Sequence, residues 1–415
     1  MVAQPSSYRR EDCRLCQSRD LELVLALAPT PIADDYVSAE RLHEPQEYFP
    51  LDLFLCRACG HTQLLDVVNP DILFRNYTYK TAVSLGLVDH FRKLAARLVT
   101  DCQLDRNSLV VEIGSNDGSM LRNFQERGIR VLGIDPAVEI ARQASESNIP
   151  TLPQFFSAKL ASELAREHGP ASLIIANNVY AHADHLGDIT DGIRELLAPA
   201  GTFVFEVSYM VDIVEKMLFD TLYHEHLCYH AIRPLAQFFQ LHGMTLIDVE
   251  RMSSKGGSIR GIAQRVDGPR PVSNRVHELR RLEEEMAFDK PETFLAFAAK
   301  VNALKARFLA LVDQLLAGGN TIAGYGASAT VTTLLHHFEL GARLSFLVDD
   351  NPVKQNLYSP GQHLPVLKPS VLLERRPDYV VLLAWPYAEP ILKKNGAYRD
   401  AGGRFIIPVP ELTLV

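Results

Sequence analysis

No run of 18 consecutive apolar residues occurs in this 415-residue chain, so no segment reads as a transmembrane helix. Met1 to Arg10 is polar and lacks the apolar core of a secretory signal, which makes a cytoplasmic protein the expectation. No long basic run is present either. A formal net charge of −8 argues against wholesale binding to nucleic acid or to an anionic membrane. A local basic pocket for a phosphorylated ligand remains compatible with it. Cysteine is scarce, at six residues, and four of them form two C-x-x-C pairs, leaving Cys102 and Cys228 alone. That pattern suits a reducing compartment and a metal better than disulfides. The zinc-protease spacing H-E-x-x-H is absent from the histidine-rich segment, and the first glycine loop is not the dinucleotide form G-x-G-x-x-G. What is left is ordinary globular composition, 47% apolar and 22% charged, at a length that fits two or three domains.

The organising stretch is Val110-Val111-Glu112-Ile113-Gly114-Ser115-Asn116-Asp117-Gly118-Ser119. An apolar run enters a turn of small polar residues and a helix-like segment leaves it. Glycines there allow close backbone approach to a ligand, and a helix N-terminus offers free N–H groups. Asn116 stands where a second dinucleotide glycine would be, and the loop is similar to the E-x-G-x-x-x-G loop of some S-adenosylmethionine (SAM) methyltransferases. Asp135 ends a second short strand, at about the distance where an acid accepts hydrogen bonds from ribose hydroxyls. Strand and helix patterns alternate from residue 108 to about 265, the grammar of a doubly wound sheet. Its strand ends carry Gly114–Gly118, Asn177-Asn178 with Tyr180 and His182, and Glu206–Tyr209. His182 taken alone also fits a satisfied loop histidine.

Cys13, Cys16, Cys56 and Cys59 place two thiolate pairs on tight turns, enough to close a tetrahedral four-sulfur zinc site. No open coordination position remains, so the zinc is expected to be structural. Tyr48–Leu55 reads as a strand into the second knuckle. Tyr77, Tyr79 and Lys80 cluster before a helix over Val83–Val99, as packing residues or substrate contacts. Tyr209–Phe219 reads as a helical lid. Tyr223-His224-Glu225-His226 follows, a dense titratable set in which histidine is the natural proton acceptor. Lys255 and Gly256 lie in a cationic turn that suits phosphate or sugar oxygens and equally suits a hairpin. Apolar residues from Phe294 to Leu315 repeat by threes and fours, a long amphipathic connector. A second glycine turn, Gly324-Tyr325-Gly326-Ala327, and a strand ending in Asp349-Asp350-Asn351 outline another α/β unit, either a second ligand site or a degenerate repeat.

Together these motifs identify a resemblance across nearly the whole chain. The sequence resembles the three-domain deoxysugar C-methyltransferases, such as those acting on nucleotide-linked 4-keto sugars in antibiotic-sugar pathways. The residues that carry it are Cys13/Cys16/Cys56/Cys59, Glu112–Gly118, Tyr223–His226 and Gly324–Ala327. The resemblance implies an α/β protein with a zinc-binding domain over residues 1–75, a Rossmann-like SAM methyltransferase domain over 76–285 and a second Rossmann-like domain over 286–415. It implies SAM, or S-adenosylhomocysteine after turnover, at Glu112, Gly114, Asn116, Asp117, Gly118, Asp135, Asn177 and Asn178. It implies a nucleotide sugar, expected on thymidine diphosphate, at Tyr79, Lys80, Lys255, Gly256, Gly324, Tyr325, Gly326, Asp350 and Asn351. His226 is then the base, with Tyr77, His182, Tyr223 and Glu225 lining the site, while His224 and His182 stand as the other candidates. The expected chemistry is loss of a proton next to the ketone, followed by methylation of the enolate carbon. A monomer is the expected state. Three alternatives stay open: an O- or N-methyltransferase, a non-catalytic nucleotide-sugar or SAM binder, and a zinc-ribbon nucleic-acid module that net charge disfavours.

Overall fold

The structure is a computed structural model and describes residues 5–75, 77, 80–83 and 85–415. The central strand, Leu109–Ile113, is buried along all five residues. It lies inside a seven-stranded sheet ordered Met244–Met252, Ser258–Arg265, Leu197–Ser208, Ala171–Asn177, Leu109–Ile113, Arg130–Ile134, Thr151–Leu152. The five strands from Leu197–Ser208 to Thr151–Leu152 pair parallel, and the other two add antiparallel. Helices cover both faces of such a sheet, which is why its middle strands are continuous apolar runs. Strand order reverses between Leu109–Ile113 and Ala171–Asn177, and ligands bind beyond the strand ends at such a point.

A four-stranded antiparallel sheet holds the N-terminal part: Leu21–Thr30, Phe49–Cys56, Thr62–Leu64 and, at its edge, Cys228–Tyr229. Alternate residues Phe49, Leu51, Leu53 and Leu55 are buried, the period-two signature of a strand with one face inward. The fourth strand comes from far along the chain, pairing Cys228 with Gln63 and Tyr229 with Thr62. Pairing of Leu21 with Cys56 brings the first knuckle beside the second. The Sγ atoms of Cys13, Cys16, Cys56 and Cys59 all lie within 4.8 Å of one another. Cys13 and Cys59 are 3.7 Å apart, and Cys16 and Cys56 are 3.5 Å apart. A tetrahedral zinc with bonds of about 2.3 Å needs sulfurs ~3.8 Å apart, so the four thiols fit the ion.

The connector forms as helices Asn274–Glu285 and Pro291–Ala317, the second starting on proline and burying Phe294, Phe297, Val301, Leu304 and Phe308. It packs against Leu21–Thr30 of the N-terminal sheet, as does helix Ala329–His337. The C-terminal sheet is ordered Val366–Leu367, Leu347–Val348, Ile322–Tyr325, Tyr379–Leu382, Arg404–Ile407, Thr413–Leu414, with only the last strand antiparallel. Tyr209–Phe219 is not a lid. Only Met210–Glu215 is α-helical there, and Tyr209, Met210, Val211, Ile213 and Phe219 are core residues. Apolar side chains on an expected cover are drawn inward when a larger core is available. Among the described residues no helix is long and apolar enough to cross a membrane.

The sheet geometry predicts one zinc per chain in freshly purified protein. Cys59→Ala should abolish that stoichiometry and lower the melting temperature, because metal binding is folding free energy at such a site. SAM affinity should persist, since the glycine loop belongs to another sheet. Metal analysis, thermal melting and calorimetric titration check these outcomes, and unchanged zinc content in Cys59→Ala would exclude this ligand set.

Candidate active site

The first glycine loop closes on itself through Asp135. One carboxylate oxygen accepts from the Asn116 N–H at 2.8 Å and the other from the Ala137 N–H at 2.9 Å. The acid thus pins the loop to the end of the second strand and keeps lone pairs for a ligand. Gly114 has φ 69°, and a Cβ there would meet Val179 at 2.3 Å, so only glycine lets the loop pass the end of the neighbouring strand. Gly118, φ 75°, opens helix Ser119–Gln125. The Asn116 and Asp117 side chains accept from the Thr81 and Ala82 N–H groups at 2.9 and 2.8 Å, which draws Thr81 and Ala82 to the loop. Lys80 bonds Gln143 at 2.6 Å. Among the described residues, both polar side-chain atoms of buried Asn177 and one oxygen of buried Glu112 have no partner. Burial pushes the Glu112 carboxyl well above its ordinary range, helped by Asp135 and Asp117. Asn178 stands with positive φ at 57° and donates its N–H to the Glu206 carbonyl at 2.7 Å. Unsatisfied buried polar atoms beside a glycine cradle fit a bound nucleoside such as SAM.

The second constellation is the Phe219–Tyr229 stretch. His226 Nδ1 lies 2.9 Å from the Thr221 carbonyl, which can only accept, so Nδ1 carries the proton. Its Nε2 then holds the lone pair, and the Tyr223 hydroxyl is 3.0 Å away. The His182 ring centroid sits 5.0 Å from that of His226, its ring also stacks on Phe74, and its buried Nε2 has no partner among the described residues. Tyr77 donates its hydroxyl to Glu225 at 3.4 Å. Burial holds His226 down to about 4, with Lys255 adding to the shift and the Thr221 bond opposing it. Burial pushes Glu225 up to about 7, aided by Asp34 and opposed by Tyr77, Lys255 and Lys354. His224 turns away, Nε2 at 3.1 Å from the Pro50 carbonyl and its ring edge-on to Phe49, so it lies outside this constellation.

The other residues expected to meet the substrate fall in two places, and Tyr79 lies outside the described residues. Lys255 sits on the hairpin between Met244–Met252 and Ser258–Arg265 and is close enough to lower the basicity of both His182 and His226. Gly256 packs against Leu218, and its carbonyl accepts from Lys216 at 2.9 Å. Gly324 and Tyr325 end strand Ile322–Tyr325 and Gly326 begins the turn after it, in a different sheet from the glycine loop of the central domain. Tyr325 donates to Asp350 at 3.0 Å, and Asn351 caps the next turn through Val353 N–H at 3.1 Å. Asp349, the first of the two acids that end its strand and not among the expected contacts, repeats the role of Asp135: its oxygens accept from Ala327 and Asn351 N–H at 2.6 and 2.7 Å. Its position at the strand end, 22 residues past the loop, was the available signal. Buried Glu206, marked in the sequence only as part of the strand-end cluster Glu206–Tyr209, is bonded by His90 at 2.9 Å and Arg260 at 2.7 Å. No local pattern joins those three residues.

Comparisons with known proteins bear on the family and the reaction class. Family models match a zinc binding domain over residues 13–74, a methyltransferase domain over 88–249 and a C-methyltransferase C-terminal domain over 253–410. The C-methyltransferase NovU of Streptomyces niveus is 34% identical over 402 residues, spanning 97% of this chain and 96% of that protein. The chain belongs to the C-methyltransferase family. This C-methyltransferase is an enzyme that takes its methyl group from SAM and carries a structural zinc. Among solved structures, the magnesium protoporphyrin IX methyltransferase of Synechocystis with bound SAM is 16% identical, with a TM-score of 0.33, covering 44% of this chain and 80% of that one. A SAM-dependent methyltransferase of Clostridium acetobutylicum is 11% identical, with a TM-score of 0.36, covering 44% and 92%. At those scores neither bears on substrate or mechanism.

Asp135→Ala in this C-methyltransferase should weaken SAM binding by about 1.5–3 kcal/mol, the scale of a hydrogen bond to a charged group. Titration calorimetry checks it, and unchanged affinity would mean that neither the loop nor the ligand depends on this carboxylate.

Proposed function

We propose that the enzyme methylates a carbon next to the ketone of a nucleotide-linked 4-keto deoxysugar, with His226 as the base. The observation that supports this most is the Thr221 carbonyl on His226 Nδ1, which leaves Nε2 as a basic nitrogen beside a tyrosine hydroxyl. SAM, held by the Gly114–Gly118 loop with Glu112, Asp135, Asn177 and Asn178, supplies an electrophilic methyl group and departs as S-adenosylhomocysteine when the carbon–carbon bond forms.

The chain's own residues make the nucleophile. Nε2 of His226 takes the proton from the carbon next to the ketone, and the electron pair of that C–H bond becomes the enolate. As Nε2 takes the proton it releases the Tyr223 hydroxyl, which donates to the oxyanion. An imidazole of low basicity is a weak base toward carbon, so this donation, with His182 as a second donor, carries much of the stabilisation. A charged Glu225 offsets the imidazolium, and Tyr77 orients that carboxylate. The nucleotide carrier, expected to be thymidine diphosphate, is assigned to Gly324, Tyr325, Gly326, Asp350 and Asn351, with Lys80, Lys255 and Gly256 as further contacts. A cytoplasmic monomer divided at 1–75, 76–285 and 286–415 completes the reading.

The test is labelled-SAM turnover on a panel of nucleotide-linked 4-keto sugars. His226→Asn should lose about 10²–10⁴-fold in turnover while SAM binding persists. Turnover within a few-fold of wild type would remove His226 from the role. The pH profile follows from the two shifted groups. His226 must be neutral and is protonated only near 4, whereas Glu225 must be charged and gains its proton as pH falls through about 7. Activity should therefore rise through about pH 7, and Glu225→Gln should lower the plateau and move that limb toward 4. A limb still near 7 in Glu225→Gln would assign it to another group. Because burial raises the folded-state value of Glu225, its charge costs stability once pH exceeds the unfolded value. Glu225→Gln should stabilise the fold at pH 8 by on the order of 3 kcal/mol, read by chemical denaturation.

A further inference from the structure

Trp385 is the single tryptophan of the chain. It follows strand Tyr379–Leu382 in the C-terminal sheet, next to Ala384, whose Cβ would lie 2.9 Å from a side chain at Gly326. Trp385 therefore borders the glycine turn of that sheet. Its indole Nε1 donates to an oxygen of Asp220 at 2.8 Å, joining two parts of the chain 165 residues apart. Both side chains are buried, and the other Asp220 oxygen has no partner among the described residues.

Asp220 is the middle residue of the short turn Phe219–Thr221. The next carbonyl, that of Thr221, is the one that receives His226 Nδ1. The carbonyl after that, of Leu222, accepts from the Thr333 hydroxyl at 2.7 Å on helix Ala329–His337. Two hydrogen bonds from the C-terminal part thus flank the Thr221 carbonyl, one residue to either side.

We propose that Asp220 and Trp385 are positioning residues that set which nitrogen of His226 carries the proton. The Asp220–Trp385 bond holds the turn so that the Thr221 carbonyl meets Nδ1. Without that acceptor, a neutral imidazole prefers its proton on Nε2, the nitrogen that must stay free to act as a base. Neither residue reaches the reacting atoms. The effect on rate rests on the reading of His226 as base, whereas the link to its tautomer does not.

The experiment uses the full-length, zinc-loaded chain with 15N-labelled imidazoles. The His226 signals are identified by their loss in His226→Asn. Wild type should show the Nδ1–H form. Trp385→Phe and Asp220→Ala should shift His226 toward the Nε2–H form. Asp220→Asn, whose amide oxygen still accepts from the indole, should keep the wild-type pattern. If Asp220→Ala fails to fold, Trp385→Phe and Asp220→Asn still decide. Turnover in Trp385→Phe should fall about tenfold or more, the scale of a misplaced catalytic group, with SAM affinity within about twofold. An unchanged Nδ1–H form in Trp385→Phe overturns the proposal. A changed tautomer with unchanged turnover keeps the link and instead removes His226 as the base.

Discussion

The stretch from Asp220 to Tyr229 must satisfy two scaffolds at once. From the C-terminal part, Trp385 holds Asp220 and Thr333 holds the Leu222 carbonyl. From the N-terminal part, the Pro50 carbonyl holds His224, the Leu64 N–H holds the Leu227 carbonyl, and the Thr62 hydroxyl holds the Tyr229 carbonyl at 3.0 Å. The Ala181 carbonyl, one residue before His182, accepts from both Leu227 and Cys228 N–H groups. Tyr223, Glu225 and His226 are what remains free to face inward. Three parts of the chain thus fix one short segment, and the zinc knuckles act on it through the edge strand Cys228–Tyr229. In the proposed reaction a histidine held this way is already in position for the proton it takes, and positioning is where much of an enzyme's rate originates.

The electrostatics follow from the same enclosure. Desolvation is the largest influence on His182, His226 and Glu225 alike, holding the histidines neutral and the carboxyl poised near neutrality. Lys255 opposes protonation of both histidines while favouring a charged Glu225. Groups pushed apart in this way can divide the work of base and charge stabiliser at one pH. The N-terminal part is also tied to the loop bearing His182 by charge, since Asp184 takes Arg10 at 3.1 Å and Arg14 at 2.9 Å.

Features set by short spacing were legible in the sequence. The two C-x-x-C pairs, the Glu112–Gly118 loop with Asp135, and the repeat from Phe294 to Phe308 all depend on neighbours within a few residues or one α/β unit. Features set by distant partners were not. Tyr223-His224-Glu225-His226 reads as one polar cluster, yet His224 points to Pro50, 174 residues away, and only the fold separates it from His226. The tautomer of His226 depends on a carbonyl, which no side-chain pattern reveals. Tyr209–Phe219 reads as a cover because it follows a strand end, but its apolar residues find a core formed partly by the connector: Glu283 accepts the Tyr209 hydroxyl at 2.8 Å. The acid pair Asp349-Asp350 could not be ranked from sequence, because the distinction lies in which carboxylate meets the Ala327 N–H.

Amide hydrogen exchange across residues 219–229, with zinc bound and after chelation, tests most directly whether this segment is held from outside its own sheet. The Leu222 and His226 amides donate to the Phe219 and Tyr223 carbonyls within the segment itself. They should be protected in the zinc form and exchange much faster once the knuckles lose their metal, while Val110 to Ile113 stay protected. Equal protection of Leu222 and His226 in both forms would contradict the account, because the segment would then keep its shape without the N-terminal scaffold.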